Sequence, residues 1–456
     1  MAKDRSPGFK LGMTVLIGAL LAIPLFMVYA LVWDRQSQSE TARASVAEGW
    51  GGPQMLAGPV MVIPYRQQSV ETVTENGKAT TRAVTIDREL FLAPVKNTAK
   101  VDVSPERRVK SIYETVVYEA RVKGTARFAL PADLARFGVK PEELLLDRAE
   151  IRVGISDARG LLADNGISVG GKPLPLRPGK GLGATNGSGF FAFADWSAGA
   201  GAPLDVAYRF GVRGNGQLTL IPDAESTDWT IASQWPHPSF GGQFLPNSRS
   251  VTDKGFTARY TISNLALGRA IVQLPQPGEQ VGQGAQSAQI DLIEPVNLYS
   301  QVDRAVKYGF LFIGFTFLAF LMFDIIAGAR VAAAEYLLTG AGLILFFVLL
   351  LAFAEIIGFT LAYLLASGAI IALISAYSAA VLGSVKRAGF IAGLLLGLYA
   401  LLYVLLNLEA YSLIIGSLLL FAALAAVMYV TRKVDWSGLG KRDEAARDLP
   451  DAYSRP

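Results

Sequence analysis

Residues 336–357 read YLLTGAGLILFFVLLLAFAEII, and Glu355 is the only charged residue among them. A helix needs about 20 apolar residues to cross the roughly 30 Å hydrocarbon core of a bilayer. This run is part of a nearly continuous apolar block, residues 306–430, in which five segments approach or exceed that length. They predict five transmembrane helices, at 308–327, 336–357, 359–382, 388–406 and 411–430.

A sixth apolar run, residues 11–33, stands alone near the start of the chain and contains Pro24. It is longer than the 7–15 apolar residues of a secretory signal peptide. No small-x-small cleavage site separates it from Asp34 and Arg35. We therefore predict an uncleaved anchor helix, with a cleaved signal peptide as the alternative.

Basic residues are distributed in alternation among the short loops. Loops on the cytoplasmic side of a membrane are enriched in Lys and Arg. Such residues occur in segment 1–10, at Arg330, at Lys386 and Arg387, and in the charged tail 431–456, whereas the intervening short loops have none. This pattern predicts that both termini are cytoplasmic in an inner membrane protein, that residues 34–305 are external (periplasmic), and that the tail is disordered.

The composition excludes several classes of site. Hydrophobic residues make up 52% of the chain and charged residues 18%, as expected of a membrane protein with a large extramembrane part. The absence of cysteine excludes disulfides and thiolate metal sites, and the single histidine, His237, argues against a histidine-based metal site. We predict no cofactor and no metal. The net charge of +4 reflects membrane topology, so no nucleic-acid partner is predicted.

The external segment 34–305 has the pattern of short β-strands separated by turns. Asn76-Gly77 lies between the predicted strands 70–74 and 80–92, and this dipeptide favours a tight hairpin. Arg213-Gly214-Asn215-Gly216 predicts a second hairpin between strands 204–212 and 217–221. Further strands are predicted at 111–130, 228–233, 256–262 and 288–296, short helices at 132–137 and 142–146, and a loop at 275–287. The predicted fold class is therefore a membrane protein with α and β parts, whose external domain resembles an antiparallel β-sandwich.

Two motifs resemble catalytic or nucleotide-binding signatures incompletely. Residues 166–172 have the glycine spacing of a phosphate-binding loop, but Pro173 replaces the metal-binding Ser or Thr, so a β-turn is predicted. Ser156 lies in a sequence close to a nucleophile elbow, but Ala158 replaces the second glycine. His237 would be the only histidine available to such a serine.

The densest aromatic and proline-rich segment outside the membrane block is a candidate binding loop. Its prolines restrict the backbone on both sides of the histidine, and the alternative is a rigid loop packed on the β domain. A histidine in this position would also be able to sense pH. The segment consists of Trp235, Pro236, His237, Pro238, Ser239 and Phe240.

Asp324 and Glu355 are the candidate polar residues of the predicted C-terminal spans. A charge at the bilayer centre costs about 2.5–3.5 kcal/mol on insertion scales, and less near the helix ends. Asp324 is predicted near the inner end of its helix and Glu355 near the outer end of the next. Placement at the interface and participation in an ion or proton path both remain open for them.

Seven short motifs resemble the CreD family of inner-membrane proteins, in family order over residues 10–436. They are Gly51-Gly52-Pro53-Gln54, Ser156-Asp157-Ala158-Arg159-Gly160, Trp235-Pro236-His237-Pro238-Ser239-Phe240, Asp303-Arg304-Ala305-x-Lys307-Tyr308, Tyr336-Leu337-Leu338, Glu355-x-x-Gly358-Phe359-Thr360 and Thr431-Arg432-x-x-Asp435-Trp436. The resemblance implies a role in cell envelope integrity, a link to a two-component regulon, and effects on colicin tolerance and β-lactam response. It supplies no catalytic residue and no ligand.

We therefore predict a non-enzymatic envelope protein in contact with the lipid bilayer. Its external domain is expected to bind an envelope protein, lipid or glycan. The alternative is a transporter or a lipid-handling protein that acts through the C-terminal helices, and an enzyme of envelope polymers is the third hypothesis.

Overall fold

The computed structural model describes residues 7–75, 78–110, 113–199, 202–276, 281–282, 284–293, 298–326, 331–407 and 412–432. The chain forms two compact units. A helical unit combines residues 1–39 with 296–456, and a β unit consists of residues 40–295.

Apolar helices make up the helical unit. Five helices of the described chain are long and apolar enough to cross a membrane: Phe9–Trp50, Leu298–Asp324, Ala333–Ile357, Phe359–Val381 and Val385–Asn407. Helix α1 (Pro7–Trp50) begins in the helical unit, and its residues 40–50 belong to the β unit, as does the short α2 (Asn264–Leu267). The remaining helices of the helical unit are α3 (Leu298–Lys307), α4 (Gly309–Ile326), α5 (Ala333–Ile357), α6 (Phe359–Val381), α7 (Val385–Asn407) and α8 (Ser412–Thr431).

The ends of two membrane helices differ from the predictions. Helix α1 continues to Trp50 rather than ending at Trp33, because residues 34–49 lack helix-breaking proline and are rich in good helix formers such as Ala, Glu and Gln. The span before Asp324 begins at Leu298, inside the segment predicted to be external. The predicted span at 411–430 coincides with α8, and its crossing of the membrane stays a prediction.

The β unit contains long strands at its beginning and shorter ones later. Three single-turn 3-10 helices, Leu134–Phe137, Pro141–Glu143 and Leu146–Arg148, occupy the region where short helices were predicted. The strands are β1 (Gln54–Glu75), β2 (Lys78–Leu92), β3 (Lys96–Lys110), β4 (Tyr113–Phe128), β5 (Glu150–Ile155), β6 (Gly166–Val169), β7 (Lys172–Leu174), β8 (Arg177–Pro178), β9 (Gly189–Phe193), β10 (Leu204–Asn215), β11 (Gln217–Ile221), β12 (Ser226–Ser233), β13 (Pro238–Gly242), β14 (Ser248–Thr252), β15 (Gly255–Ser263), β16 (Val272–Gln273) and β17 (Ala288–Leu292).

These strands form two mixed sheets. The nine-stranded sheet has the order β13-β17-β11-β1-β5-β9-β8, with β2 paired to β1 and β16 paired to β2. The eight-stranded sheet has the order β14-β15-β12-β3-β4-β10-β6-β7. The predicted layered β fold is confirmed and most strand pairs are antiparallel, but two pairs, β1 with β11 and β12 with β3, are parallel and were not predicted. Parallel pairs join strands far apart in sequence, so local turn signals do not reveal them.

The first predicted hairpin is confirmed by its strands. Strands β1 and β2 are antiparallel, with a register that continues to the pair Glu75 and Lys78. The turn residues Asn76 and Gly77 lie outside the described residues. The predicted turn in residues 166–172 is also confirmed, because β6 and β7 form a hairpin around Gly170 and Gly171, both of which have positive φ.

The second predicted hairpin, at residues 213–216, is wrong. Strand β10 pairs with β4 and β6, whereas β11 pairs with β1 and β17, so the chain passes from one sheet to the other. Gly216 has a φ of 63°, which lets the chain turn sharply. A Cβ on Gly214 would lie 2.4 Å from the Tyr118 ring, whose hydroxyl donates to the Gln217 oxygen. The tyrosine packed at this crossing therefore stabilises the change of sheet.

Both sheets contribute side chains to one hydrophobic core. Phe190 of β9 and Phe210 of β10 meet edge to face across the sheets, with ring centroids 5.8 Å apart. The Tyr208 hydroxyl donates to the Asn97 side-chain oxygen at 2.6 Å, which satisfies two buried polar groups. The two-layer arrangement follows from the alternation of buried and exposed residues, as in β3 and β15.

Candidate functional site

Trp235, the first residue of the candidate binding loop, lies in the core of the β unit. Its side chain is 6% exposed, and Nε1 donates to the backbone oxygen of Ile293 at 2.9 Å. The Arg107 guanidinium lies 5.5 Å from the ring centroid. The indole is thus buried with its single donor satisfied, which is the usual arrangement of a core tryptophan.

The second half of the same segment is a strand rather than a loop. Pro238–Gly242 forms β13, which pairs with β17. Phe240 is half-buried and packs edge-on against Phe256, with ring centroids 5.5 Å apart. Pro236 and Ser239 are half-buried as well, which leaves His237 as the exposed side chain among these six residues. The packing of both aromatic rings agrees with the alternative of a segment packed on the β domain, because the hydrophobic effect favours burial of large apolar side chains.

An open polar cleft of about 420 Å³ includes Gln234, the residue directly before Trp235. Its floor is a row of residues that face each other across four strands of the eight-stranded sheet. Asp102 of β3 lies opposite Ala232 of β12, Ala232 lies opposite Thr257 of β15, and Thr257 lies opposite Ser250 of β14. Residues directly opposite each other in a sheet point to the same face, so this row forms a continuous surface.

The hollow in this surface results from small residues. Ala232 contributes only a methyl group at the centre of the row. Gly255 has a φ of 136°, and a Cβ there would lie 2.1 Å from the Ser233 oxygen. Glycine is therefore the residue that this position permits, and its missing side chain keeps the cleft open.

Hydrogen-bonding groups of low net charge line the cleft. The hydroxyls of serines and threonines, the Gln234 amide, one carboxylate and one ammonium group can donate and accept hydrogen bonds. Asp102 and Lys254 carry the two opposite charges. The polar side chains are Asp102, Ser104, Ser233, Gln234, Ser250, Thr252, Lys254 and Thr257. Such a lining is suited to a neutral, hydroxyl-rich ligand rather than to an apolar or strongly charged one.

Two of the short motifs noted in the sequence meet around Gln54. The Gln54 amide nitrogen donates to the backbone oxygens of Asp157 and Arg213, at 3.1 and 2.7 Å. The Ser156 hydroxyl donates to the Gln54 side-chain oxygen at 3.2 Å and accepts a hydrogen bond from the Met55 N–H at 2.8 Å. The serine of the incomplete elbow motif is therefore engaged in a structural junction.

The same junction holds a charged pair with a perturbed pKa. Arg159 donates to both carboxylate oxygens of Asp157, at 2.9 and 2.8 Å. This hydrogen-bonded contact lowers the pKa of Asp157 below its ordinary value. The pair keeps the carboxylate ionised and fixes the turn that follows β5.

Buried charges elsewhere in the β unit compensate each other. Arg152 donates to Glu89 and Glu150, with distances of 2.5 Å and 2.8 Å from Nη2. Lys180 Nζ lies 2.6 Å from the other oxygen of Glu150. The buried Arg152 and Glu150 thus pair with each other and with the partly exposed Glu89 and Lys180, which offsets the cost of removing the two buried charges from water.

Asp223 lies at a small cavity lined by Val60, Phe91 and Leu182. It accepts hydrogen bonds from the Gly58 N–H at 3.2 Å and from Arg269 at 3.3 Å. Burial nevertheless raises the pKa of Asp223 to about 6, against the lowering effects of Arg269 and the Gly58 N–H. The folded protein therefore disfavours the ionised carboxylate relative to the unfolded chain.

We expect Asp223 to make the β unit less stable as the pH rises from 4 to 6. The pKa of Asp223 in the folded protein lies above the unfolded value of about 3.9. The stabilisation from the protonated carboxyl is therefore fully present below pH ~4 and is lost as the pH rises through ~6. This loss amounts to at most about 3 kcal/mol of the free energy of unfolding. The full chain in detergent would be melted at several pH values, with tryptophan fluorescence as the signal. Asp223→Asn should remove this part of the pH dependence, whereas parallel curves for the two proteins would contradict the assignment.

The two membrane carboxylates each have partners within the helical unit. Lys10 Nζ lies 2.8 Å from Asp324 Oδ1, and the Asp324 side chain is 2% exposed. The Tyr299 hydroxyl donates to Glu355 Oε1 at 3.1 Å, and Arg35 Nε lies 4.0 Å from the same oxygen. Lys10 and Arg35, which flank the apolar run 11–33 of α1, therefore contact carboxylates of the C-terminal helices. The pairing favours a structural role for these charges.

Comparison with known proteins assigns the chain to a family. The family model described as "Inner membrane protein CreD" matches residues 6–437. The chain belongs to the CreD family. It is also similar to the inner membrane protein CreD of Escherichia coli strain K12, with 32% identity over 435 residues that cover 93% of each chain. Membership in the CreD family and the apolar helices identify an inner membrane protein.

The sequence analysis did not predict the polar cleft of this CreD-family chain, although it identified the adjoining segment 235–240 as a candidate binding loop. Asp102, Ala232, Ser250 and Thr257 are distant in sequence, and only the strand register places them in one row. The available signal was the alternation of exposed Ser, Thr and Asp in β3 and β15. By itself, such alternation indicates only a solvated sheet face.

Proposed function

We propose that this CreD-family protein maintains cell envelope integrity by binding a glycan of the envelope in the polar cleft of its β unit, without catalysing a reaction. The cleft is the observation that carries the proposal. Its eight polar side chains surround a hollow kept open by Ala232 and Gly255. Hydroxyls, an amide and balanced charges match the many donors and acceptors of a sugar.

The proposal includes the orientation of the protein in the membrane. The alternating Lys and Arg content of the short loops supports cytoplasmic termini and an external β unit. In a bacterium with two membranes, the cleft would then face the periplasm, where the cell wall and other glycans lie. The family resemblance to envelope integrity proteins supports the same setting.

Replacing Ala232 by phenylalanine tests this function. The ring would occupy the hollow, and we expect the affinity for purified peptidoglycan sacculi to fall at least about tenfold. Co-sedimentation of the detergent-solubilised full chain with sacculi would measure the binding. The same replacement at Thr230, two residues earlier in β12 and outside the cleft, serves as the matched control.

Both variants should melt at the wild-type temperature, because phenylalanine is favoured in strands and both sites face outward. The loss of binding should be accompanied by a loss of envelope protection in cells that carry Ala232→Phe. Equal binding by the Ala232 and Thr230 variants, or no binding by the unaltered protein, would contradict a glycan-binding cleft.

Transport or lipid handling through the C-terminal helices is the second candidate function. The buried carboxylate of Asp324 supports it, because ionisable residues within membrane spans frequently mark ion pathways. The 2.8 Å contact with Lys10 weakens it, since the pair is locally neutral. The glycan-binding proposal therefore takes precedence.

A further inference from the structure

An apolar groove of about 310 Å³ lies between α1 and α4 in the helical unit. Small residues form its floor, because Gly18 and Ala22 of α1 and Gly314 of α4 leave space between the helices. A Cβ added at Gly18 or Gly314 would meet no heavy atom within 4 Å. Larger apolar side chains, including Val15 and Phe310, form the walls. The groove is thus a concave apolar channel rather than a flat contact surface.

The surroundings of the groove determine what covers it. Both lining helices belong to candidate membrane spans, Phe9–Trp50 and Leu298–Asp324. Val15 is 63% exposed and Phe310 is 61% exposed, so the rim faces outward, toward hydrocarbon in a bilayer. Water would be an unfavourable occupant of so apolar a channel. A hydrocarbon chain satisfies this lining without leaving any polar group unpaired.

The length of the groove fits one lipid chain. Its lining on α1 extends from Leu11 to Leu25, about 21 Å along the axis at 1.5 Å per residue. One leaflet contributes roughly 15 Å of hydrocarbon thickness. The groove is therefore long enough for the acyl chain of one leaflet and follows the direction of the helices.

The groove has a polar end and an apolar end. Leu11 and Thr14 of the lining lie in the helical turn directly after Lys10, and Leu321 lies one turn before Asp324. The Lys10–Asp324 ion pair therefore marks the end of the groove nearest the membrane surface. Lys10 has three ammonium donors, and Asp324 Oδ1 accepts one of them. A headgroup phosphate at this end would find a partly exposed ammonium group.

We propose that the groove between α1 and α4 binds one acyl chain of a glycerophospholipid, with the headgroup at the Lys10 end. This inference does not depend on the glycan-binding cleft, which lies in the other unit. A second copy of the chain is the competing occupant, because small residues spaced as in Gly18 and Ala22 also mediate helix pairing. The concave shape, with large residues on both walls, favours the lipid chain.

Lipid binding to the full chain tests the inference. The protein would be delipidated in dodecyl maltoside, titrated with palmitoyl-oleoyl phosphatidylethanolamine and examined by native mass spectrometry. The double variant Gly18→Leu with Gly314→Leu fills the groove, and we expect its affinity for the first lipid to fall about tenfold. The control is Gly393→Leu with Gly397→Leu on α7, where an added Cβ also meets open space.

Leucine is a better helix former than glycine, so neither double variant should lose its helices. Circular dichroism and size-exclusion chromatography of both variants check this directly. Unchanged affinity in the groove variant, or an equal loss in the α7 control, would overturn the proposal. A dimeric wild type that becomes monomeric in the groove variant would also overturn it and assign the groove to a second copy.

Discussion

Replacing Lys10 by methionine should destabilise the helical unit by about 3 kcal/mol, the cost of leaving a buried carboxylate without its partner. Asp324 is 2% exposed and lies 2.8 Å from the lysine nitrogen, so little water can take the place of the ammonium group. Methionine preserves the length and the helix propensity of lysine but removes its charge. Thermal unfolding of the full chain in detergent, followed by circular dichroism in the helical region, measures the effect.

A second substitution distinguishes the ion pair from a general effect of the mutation. Combining Lys10→Met with Asp324→Leu removes both charges, and we expect most of the lost stability to return. The control is Lys386→Met, an exposed position in the first turn of α7, where less than about 0.5 kcal/mol should change. If the double variant is no more stable than Lys10→Met alone, the pairing has been misassigned.

The ion pair with Lys10 also changes how the effect of an Asp324→Asn substitution can be interpreted. Asp324→Asn tests an ion or proton path only if the carboxylate has no structural role of its own. In the structure it leaves Lys10, 22% exposed, without a counter-ion. We expect a smaller loss than for Lys10→Met, because a long lysine side chain can reach the interface. A functional defect of this variant therefore requires a stability measurement before it indicates transport.

Replacing Trp235 by alanine should destabilise the β unit by about 3–5 kcal/mol, the range for a large buried aromatic side chain. The indole is 6% exposed and donates to the Ile293 oxygen at 2.9 Å, and both contributions are lost. Trp235→Phe retains most of the packing and loses chiefly the hydrogen bond, so we expect about 1–2 kcal/mol. Calorimetric melting of the full chain compares these variants.

His237→Ala provides the matched control within the same segment. His237 is exposed, so less than about 0.5 kcal/mol should be lost. Envelope protection should fall in Trp235→Ala cells together with protein level, rather than at constant level as a binding residue would require. A Trp235→Ala protein that melts at the wild-type temperature would show that the ring does not support the core.

Local patterns in the sequence were sufficient to predict the parts of the fold that depend on neighbouring residues. The long apolar runs predict the membrane helices because a single helix satisfies its own backbone and needs only enough length to cross the bilayer. The β1–β2 pairing follows from Asn76-Gly77 because a tight turn fixes the register of adjacent strands. The short motifs were enough to indicate the CreD family.

Features that depend on contacts between distant residues were decided by the tertiary structure. Residues 213–216 have the composition of a hairpin turn, yet Tyr118, nearly 100 positions earlier, packs where the chain crosses between the sheets. The sequence around Trp235 and Phe240 does not distinguish aromatic residues that bind a partner from those that fill a core. Their burial depends on the strands that pack against them.

The candidate sites depend on such distant contacts most of all. Asp102 and Thr257 line one cleft because β12 pairs with β3 on one side and β15 on the other. Lys10 meets Asp324 across 314 positions of chain. The sequence by itself determined the apolar helices and several of the strands, since these follow from hydrophobic period and turn chemistry. It did not predict strands such as Lys96–Lys110 and Glu150–Ile155. Which strands pair, and which charges meet, is set by the packing of whole elements, and no local pattern specifies it.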